Sequence, residues 1–207
     1  MVQKIIKSPF ILQEDVISLE KCEEVVLSLK HSLPDNDIKL NPIKTIKYNQ
    51  LEETRLMPFV DDLLDIAEPY YGFETRDIAP FSYEWMTEGY KAHVPQTDNS
   101  MLFDGKWVKS KDIDFTIIIF LSTSKENDLR DSLLESFGGD MEFINHNLTI
   151  KPKAGTMLMF PSGSNFLHTF SNIMFGNLNY VRVLITAKTP YVYDPKQFPG
   201  DIRTWFK

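Results

Sequence analysis

Four segments carry the strongest structural signal in this 207-residue chain: FGGDMEF (137–143), IKPKAGTMLMFPS (150–162), FLHTFS (166–171) and GNLNYVRVLIT (176–186). The first places a Gly-Gly turn before a strand, and the second places a Lys-Pro-x-Ala-Gly turn before a very apolar strand. His168 follows in the third segment, and Arg182 lies in the apolar strand of the fourth. A histidine and an arginine on neighbouring strands of a β core suit a metal ion together with a carboxylate-bearing ligand.

Composition narrows the class of protein. The net charge of −7 and the isoelectric point near 5.1 argue against non-specific nucleic-acid binding through a basic face. Cys22 is the one cysteine, which excludes an internal disulfide framework and fits a reducing compartment. No segment approaches the roughly 18 to 20 apolar residues of a membrane span, and the first ten residues do not resemble a signal peptide. We therefore expect a soluble cytoplasmic protein with no membrane or nucleic-acid partner.

Helical patterns occupy the N-terminal third, and strand patterns occupy most of the remainder. Apolar residues recur at helical spacing over 14–31 and again over 51–67, where Pro58 marks a kink or a break. Short β-rich runs are predicted at 81–85, 115–121, 140–144, 148–150, 156–160 and 180–186. The polar segment 122–135 is interpreted as an insertion that is partly helical.

This pattern predicts a mostly β fold with flanking α-helices, a double-stranded β-helix of the jelly-roll or cupin-like kind. One domain is expected over residues 1–207. Residues 1–80 form a mainly helical N-terminal support, 81–190 form the β-barrel core, and 191–207 form a C-terminal tail.

Two of the four histidines, His93 and His168, are candidates for metal ligands, because each lies beside a predicted core strand and about 75 residues separate them. Iron(II) oxygenases hold their metal with two histidines and one carboxylate on one face, which leaves the other positions open. Asp98 is the first carboxylate after His93. Taken alone, a histidine more often has an ordinary core or surface role than a ligand role, and the surroundings of these two favour the ligand role.

The order of these motifs resembles the 2-oxoglutarate and iron(II)-dependent dioxygenases of the prolyl 4-hydroxylase-like group. The resemblance covers roughly residues 81–190. Residues 115–121 resemble the family strand that follows the first ligands, and 138–140 resemble its Gly-Gly-acidic turn. Residues 153–160 resemble the strand that leads to the second histidine.

The resemblance implies a complete cofactor site. Iron(II) would be held by His93, Asp98 and His168. The co-substrate 2-oxoglutarate would place its distal carboxylate on Arg182, helped by Tyr83, and the family leaves room for ascorbate. Thr186, four residues after Arg182, shares its face of the strand by the period-two rule and is expected to add a hydroxyl group.

The implied activity is hydroxylation of an unactivated C–H bond, with a prolyl or other peptide side chain as the family's usual substrate. A peptide or protein substrate is therefore expected beside the small-molecule co-substrate. Two other functions fit the same barrel: a non-catalytic binding or structural module, and a cupin-type metal enzyme that does not use 2-oxoglutarate.

The chain departs from the family at the first two metal ligands, which form a His-x-Asp motif in the family. Here Asp98 follows His93 by five residues, and Pro95 stands where the aspartate is expected. The preferred explanation is a turn around Pro95 that returns Asp98 to the metal. Alternatively, Gln96 occupies the histidine position in a Gln-x-Asp motif, and His93 is then not a metal ligand. In the third explanation the carboxylate is missing, as in related halogenases or in an inactive site.

Overall fold

The computed structural model describes residues 7–31, 43–47, 50–127 and 133–200. Parts of the predicted N-terminal support (1–6, 32–42 and 48–49), of the polar insertion (128–132) and of the C-terminal tail (201–207) lie outside the described residues.

Both α-helices of the described residues lie in the N-terminal third: α1 (Leu19–His31) and α2 (Gln50–Tyr71). Ser18 caps α1, because its hydroxyl oxygen accepts a hydrogen bond from the Lys21 N–H at 3.2 Å. Helix α2 continues through Pro58, so this proline does not end the helix. Neither helix has the length and apolar content that crossing a membrane requires.

The strands of the described residues are β1 (Ile11–Gln13), β2 (Ile43–Lys47), β3 (Thr75–Ile78), β4 (Ser82–Thr87), β5 (Ser100–Phe103), β6 (Lys106–Lys109), β7 (Phe115–Phe120), β8 (Thr123–Lys125), β9 (Glu135–Gly138), β10 (Met141–Phe143), β11 (Leu148–Ile150), β12 (Met157–Pro161), β13 (His168–Phe170) and β14 (Ile173–Ala187). Each of the six predicted strands has a counterpart among them. The described parts of 122–135 contain β8 and the start of β9, where a partly helical insertion was predicted.

Within the described residues, the largest sheet runs in the order β1-β12-β7-β14-β4-β2, and β3, β8 and β9 extend it through β14. A second sheet has the order β11-β10-β13, and β5 pairs with β6 in a separate hairpin. The long strand β14 is the centre of this arrangement, since it pairs antiparallel with β4, β7, β3 and β9. It brings residues that are a hundred positions apart in sequence onto neighbouring strands.

The large sheet buries apolar side chains on both faces. One face packs against the helices, and Ile117 and Ile119 of β7 belong to that cluster. The other face closes against the small sheet, and Ile118 and Phe120 belong to the cluster between the two sheets. This alternation follows from the period of two along a strand. We call the face toward the small sheet the barrel interior.

Gly155, in the Lys-Pro-x-Ala-Gly turn before β12, holds the N-terminal segment close to the barrel. Its φ is +83°, and an added Cβ would lie 2.1 Å from the carbonyl oxygen of Ile17. The Gly155 carbonyl accepts hydrogen bonds from the N–H groups of Val16 and Ile17 at 2.9 and 3.2 Å. A side chain at this position would therefore strain the backbone and separate the two segments.

We expect Gly155→Ala to lower the free energy of unfolding by about 2 kcal/mol or more, since it adds both a positive-φ penalty and a clash. Chemical denaturation measures the loss. Gly163→Ala is the matched control, because Gly163 has a φ of −74° and no atom within 4 Å of the added Cβ. Equal stability of the two variants would contradict this account of the turn.

Candidate functional site

Asp98 and His168 meet in the barrel interior. His168 is the first residue of β13, and Asp98 lies just before β5. His168 Nε2 is 3.8 Å from Asp98 Oδ2, and the two side chains are only 4% and 3% exposed. The structure thus joins a carboxylate and an imidazole that are 70 residues apart in sequence.

The orientation of the His168 ring is fixed by the backbone. Its Nδ1 lies 3.0 Å from the carbonyl oxygen of Phe166. A carbonyl oxygen only accepts hydrogen bonds, so Nδ1 carries the proton. In the neutral ring the lone pair is then on Nε2, the atom that faces Asp98. An imidazole held in this way is a typical metal ligand.

A chain of hydroxyl groups supports Asp98 from the neighbouring strands. Thr116 of β7 donates a hydrogen bond to Asp98 Oδ2 at 2.8 Å. The Thr116 and Ser162 hydroxyl oxygens are 2.7 Å apart. Because the Thr116 hydroxyl donates its hydrogen to Asp98, the Ser162 hydroxyl is the donor of this second hydrogen bond. All three residues are buried. These two hydrogen bonds therefore hold the Asp98 carboxylate in place without a ligand.

Arg182 of β14 lies between two carboxylates. Its Nη1 donates to Asp98 Oδ1 at 3.0 Å, and its Nη2 forms an ion pair with Glu84 Oε1. Burial acts to lower the pKa of Arg182, but the charges of Glu84 and Asp98 outweigh it and raise the pKa above its usual value. The guanidinium is therefore permanently charged. Its Nε is buried and has no hydrogen-bond acceptor among the residues that the structure describes.

Glu84 of β4 is held on its other side by Tyr180. The Tyr180 hydroxyl donates to Glu84 Oε2 at 2.7 Å. Burial raises the pKa of Tyr180 well above its usual value, and the charge of Glu84 adds to that effect, so the phenol stays protonated. We call Arg182, Asp98, Glu84 and Tyr180 the Arg182 network. With two carboxylates and one guanidinium, it carries one net negative charge.

Gln96 pairs with His168 through the backbone. The Gln96 N–H donates to the His168 carbonyl at 2.9 Å, and the His168 N–H donates to the Gln96 carbonyl at 3.0 Å. Residues that exchange both hydrogen bonds lie directly opposite one another, and their side chains point to the same face. Gln96 is exposed where His168 is buried. Gln96 therefore lies at the open end of the face that carries His168.

His93 has a different position. Its side chain is exposed, and its ring contacts Tyr90 edge-on at 5.4 Å. Its carbonyl accepts a hydrogen bond from the hydroxyl of Thr169 at 3.0 Å. Thr169 follows His168 in β13, so its side chain points to the opposite face of the strand. The structure brings Asp98 and His168 together, while the His93 carbonyl lies on the Thr169 face of β13.

The three residues that were predicted to bind the distal carboxylate of 2-oxoglutarate do not lie together in the structure. Arg182 faces the barrel interior, and its role toward a co-substrate stays a prediction. Tyr83 faces the helices instead, where it is fully buried and donates to Asn179 Oδ1 at 2.6 Å. Thr186 shares a face with Arg182, but its hydroxyl donates to the Asp112 carbonyl at 2.7 Å. The phenol beside Arg182 belongs to Tyr180.

The donor set fits a metal ion in part. Among the described residues, no three His, Cys, Asp or Glu side chains lie close enough to hold a metal together. Two ligands at right angles on one metal, each at roughly 2.0 to 2.2 Å, lie about 3 Å apart, and two on opposite sides lie about 4.2 Å apart. The 3.8 Å between Asp98 Oδ2 and His168 Nε2 lies between these two values, so the two side chains must approach by about 1 Å to coordinate one cation at right angles. These two residues are the candidate metal ligands that the structure brings together, and backbone pairing places Gln96 on the same face as His168.

Four residues of the site were not predicted from sequence: Glu84, Thr116, Ser162 and Tyr180. Glu84 left a signal, because it is a lone acidic residue in the aromatic strand FSYEWM (81–86). A buried carboxylate in such a strand requires a cationic partner. Thr116 and Ser162 left only a weak signal, since single hydroxyl groups are common in apolar strands.

Comparison with known proteins gives a structural match and no sequence match. The sequence matches no family model and no curated protein. The viral collagen prolyl hydroxylase of Paramecium bursaria Chlorella virus-1, in its 2-oxoglutarate (2OG) complex, is similar with a TM-score of 0.66 and 14% identity, over 88% of this chain and 97% of that one.

Two further structures are similar over most of their length. A Trichoplax adhaerens prolyl hydroxylase in complex with a hypoxia-inducible-factor peptide gives a TM-score of 0.62 at 14% identity, over 93% of this chain and 86% of that one. HygX from Streptomyces hygroscopicus, with nickel and 2-oxoglutarate bound, gives 0.59 at 10% identity, over 91% and 87%. The predicted double-stranded β-helix is therefore confirmed as the fold.

We expect Thr116→Val to lower the free energy of unfolding by about 1 to 3 kcal/mol, because it removes the donor that satisfies buried Asp98 Oδ2. Urea denaturation measures the change. Thr149→Val is the control, since Thr149 is exposed on β11, and a change within about 0.5 kcal/mol is expected there. If the two variants lose equal stability, the hydroxyl chain does not support Asp98.

Proposed function

We propose that the chain is an oxygenase that binds a divalent metal ion, iron(II), at Asp98 and His168 and an anionic co-substrate, 2-oxoglutarate, at Arg182. The proposal is supported by one observation above the others: a carboxylate, an oriented imidazole and a guanidinium converge in the interior of a fold shared with 2-oxoglutarate-binding proteins. Gln96 is the proposed third donor. An amide oxygen is a weaker ligand for iron(II) than the neutral imidazole that a second histidine would supply.

Each residue would have a separate task. Asp98 and His168 bind the cation, and the Phe166 carbonyl keeps the His168 lone pair directed at it. Arg182 orients the distal carboxylate of the co-substrate by charge-assisted hydrogen bonds. When bound, iron and 2-oxoglutarate supply the oxidation of an unactivated C–H bond. The proposed substrate class is a peptide side chain, by analogy with the peptide-bound hydroxylase that shares the fold.

A second function is favoured by a specific observation. Arg182 already has two carboxylate partners, and the described residues contain no three-residue metal group. A barrel whose interior guanidinium is already paired with carboxylates would serve as a non-catalytic binding module. The two functions differ in whether the interior binds a cation at all.

Anaerobic calorimetry with iron(II) separates these functions. An oxygenase binds about one ion per chain, and Asp98→Asn weakens that binding by about tenfold or more, since it removes the only charged ligand. Asp104→Asn, at an exposed carboxylate of the β5–β6 hairpin, is the control and leaves the affinity unchanged. Absence of binding by the unmodified chain, together with no succinate formed from 2-oxoglutarate, supports the module.

Replacing Gln96 with histidine tests the third ligand position. If Gln96 lies at the metal, Gln96→His completes a set of two histidines and one carboxylate, and we expect iron(II) affinity to increase about tenfold or more. His93→Ala is the companion variant and leaves the affinity unchanged on this proposal. Loss of binding in His93→Ala would instead assign the ligands as His93, Asp98 and His168, the set preferred from the sequence.

A further inference from the structure

The carboxylate of Glu84 lies where an anionic ligand of Arg182 would be expected. It receives an ion pair from Arg182 Nη2 and a hydrogen bond from the Tyr180 hydroxyl at 2.7 Å. A guanidinium and a phenol that converge on one carboxylate form an anion-binding cradle. The side chain of Glu84 is only 8% exposed, so this carboxylate is not a loose surface group.

The strand register dictates this contact. In the β4–β14 pair, Glu84 lies directly opposite Tyr180, and Arg182 follows two residues later on the same face. Tyr83 and Trp85, the neighbours of Glu84, are buried in the cluster against the helices. They fix the phase of β4, so that Glu84 must face the cradle.

We propose that Glu84 is an internal competitor for the anion site: its carboxylate occupies the cradle of Arg182 and Tyr180 and must be displaced before a dicarboxylate binds there. This inference rests on the proposed function only in assigning the cradle to a dicarboxylate such as 2-oxoglutarate. Glu84 then determines how tightly such a ligand is held.

The charges of the Arg182 network support the competition. Arg182 pairs with both Asp98 and Glu84, so a third carboxylate would bring three negative groups around one guanidinium. The Nε of Arg182 is the donor left without an acceptor among the described residues, and it is buried. A carboxylate that binds both Nε and Nη2 of Arg182 therefore requires Glu84 to leave Nη2.

Titration of the metal-free protein with glutarate tests the competition. Glutarate carries two carboxylates but lacks the keto group that would chelate a metal, so it reports on the cradle alone. We expect Glu84→Gln, which keeps the shape but removes the charge, to bind glutarate about tenfold more tightly than the unmodified chain, or better. The control is Glu88→Gln, at an exposed glutamate just after β4, with an affinity within about twofold of the unmodified chain.

Three results would overturn the inference. They are an unchanged affinity in Glu84→Gln, an equal gain in Glu88→Gln, and tight glutarate binding by the unmodified chain. The last needs no variant, so it tests the inference even if Glu84→Gln does not fold, which circular dichroism would reveal. Because no metal is added, the glutarate affinities do not depend on iron(II) binding. A failure of iron(II) binding at Asp98 and His168 would contradict the proposed function and leave the glutarate results unchanged.

Discussion

One guanidinium held between two carboxylates is the interaction on which the barrel interior depends. Removing a charged group from water is strongly unfavourable unless it is paired and hydrogen-bonded. Arg182 meets that requirement only because β4 brings Glu84 and the segment before β5 brings Asp98 to the same side of β14. The loss of Arg182 would leave two carboxylates in the interior without a cationic partner. The register of β4 against β14 is therefore constrained by electrostatics as well as by packing.

The two faces of the large sheet differ in the side chains that they carry. Along β7, Ile117 packs against the helices while its neighbour Thr116 supports Asp98 from the interior. The apolar cluster against the helices contains the large buried side chains that stabilise the sheet by removal of apolar surface from water. Because the helices cover that face, the interior can tolerate charged and hydroxyl groups. The glycine turn at Gly155 joins the N-terminal segment to the same scaffold.

Much of the fold could be predicted from the sequence, because turns and period-two patterns are local properties. The strand around Arg182 and the shared face of Arg182 and Thr186 follow from alternation alone. Alternation does not give the phase of a strand relative to the core. It could not show that Tyr83, which the family resemblance assigned to the site, faces the helices while its neighbour Glu84 faces the interior. The pairing of Gln96 with His168 spans 72 residues, and no local pattern reports it. His93 as a metal ligand stays a prediction that the proposed variants test.

Asp98 links the two halves of the site. Its Oδ1 accepts from Arg182, and its Oδ2 accepts from Thr116 and faces His168. A cation at Asp98 and His168 would offset the charge that Asp98 now presents to Arg182, and the guanidinium would then attract another anion more strongly. Binding at one half must therefore change affinity at the other, and by linkage the effect is reciprocal. The carboxylate that is proposed to bind the metal would thus determine, together with Glu84, how available Arg182 is to an anionic ligand.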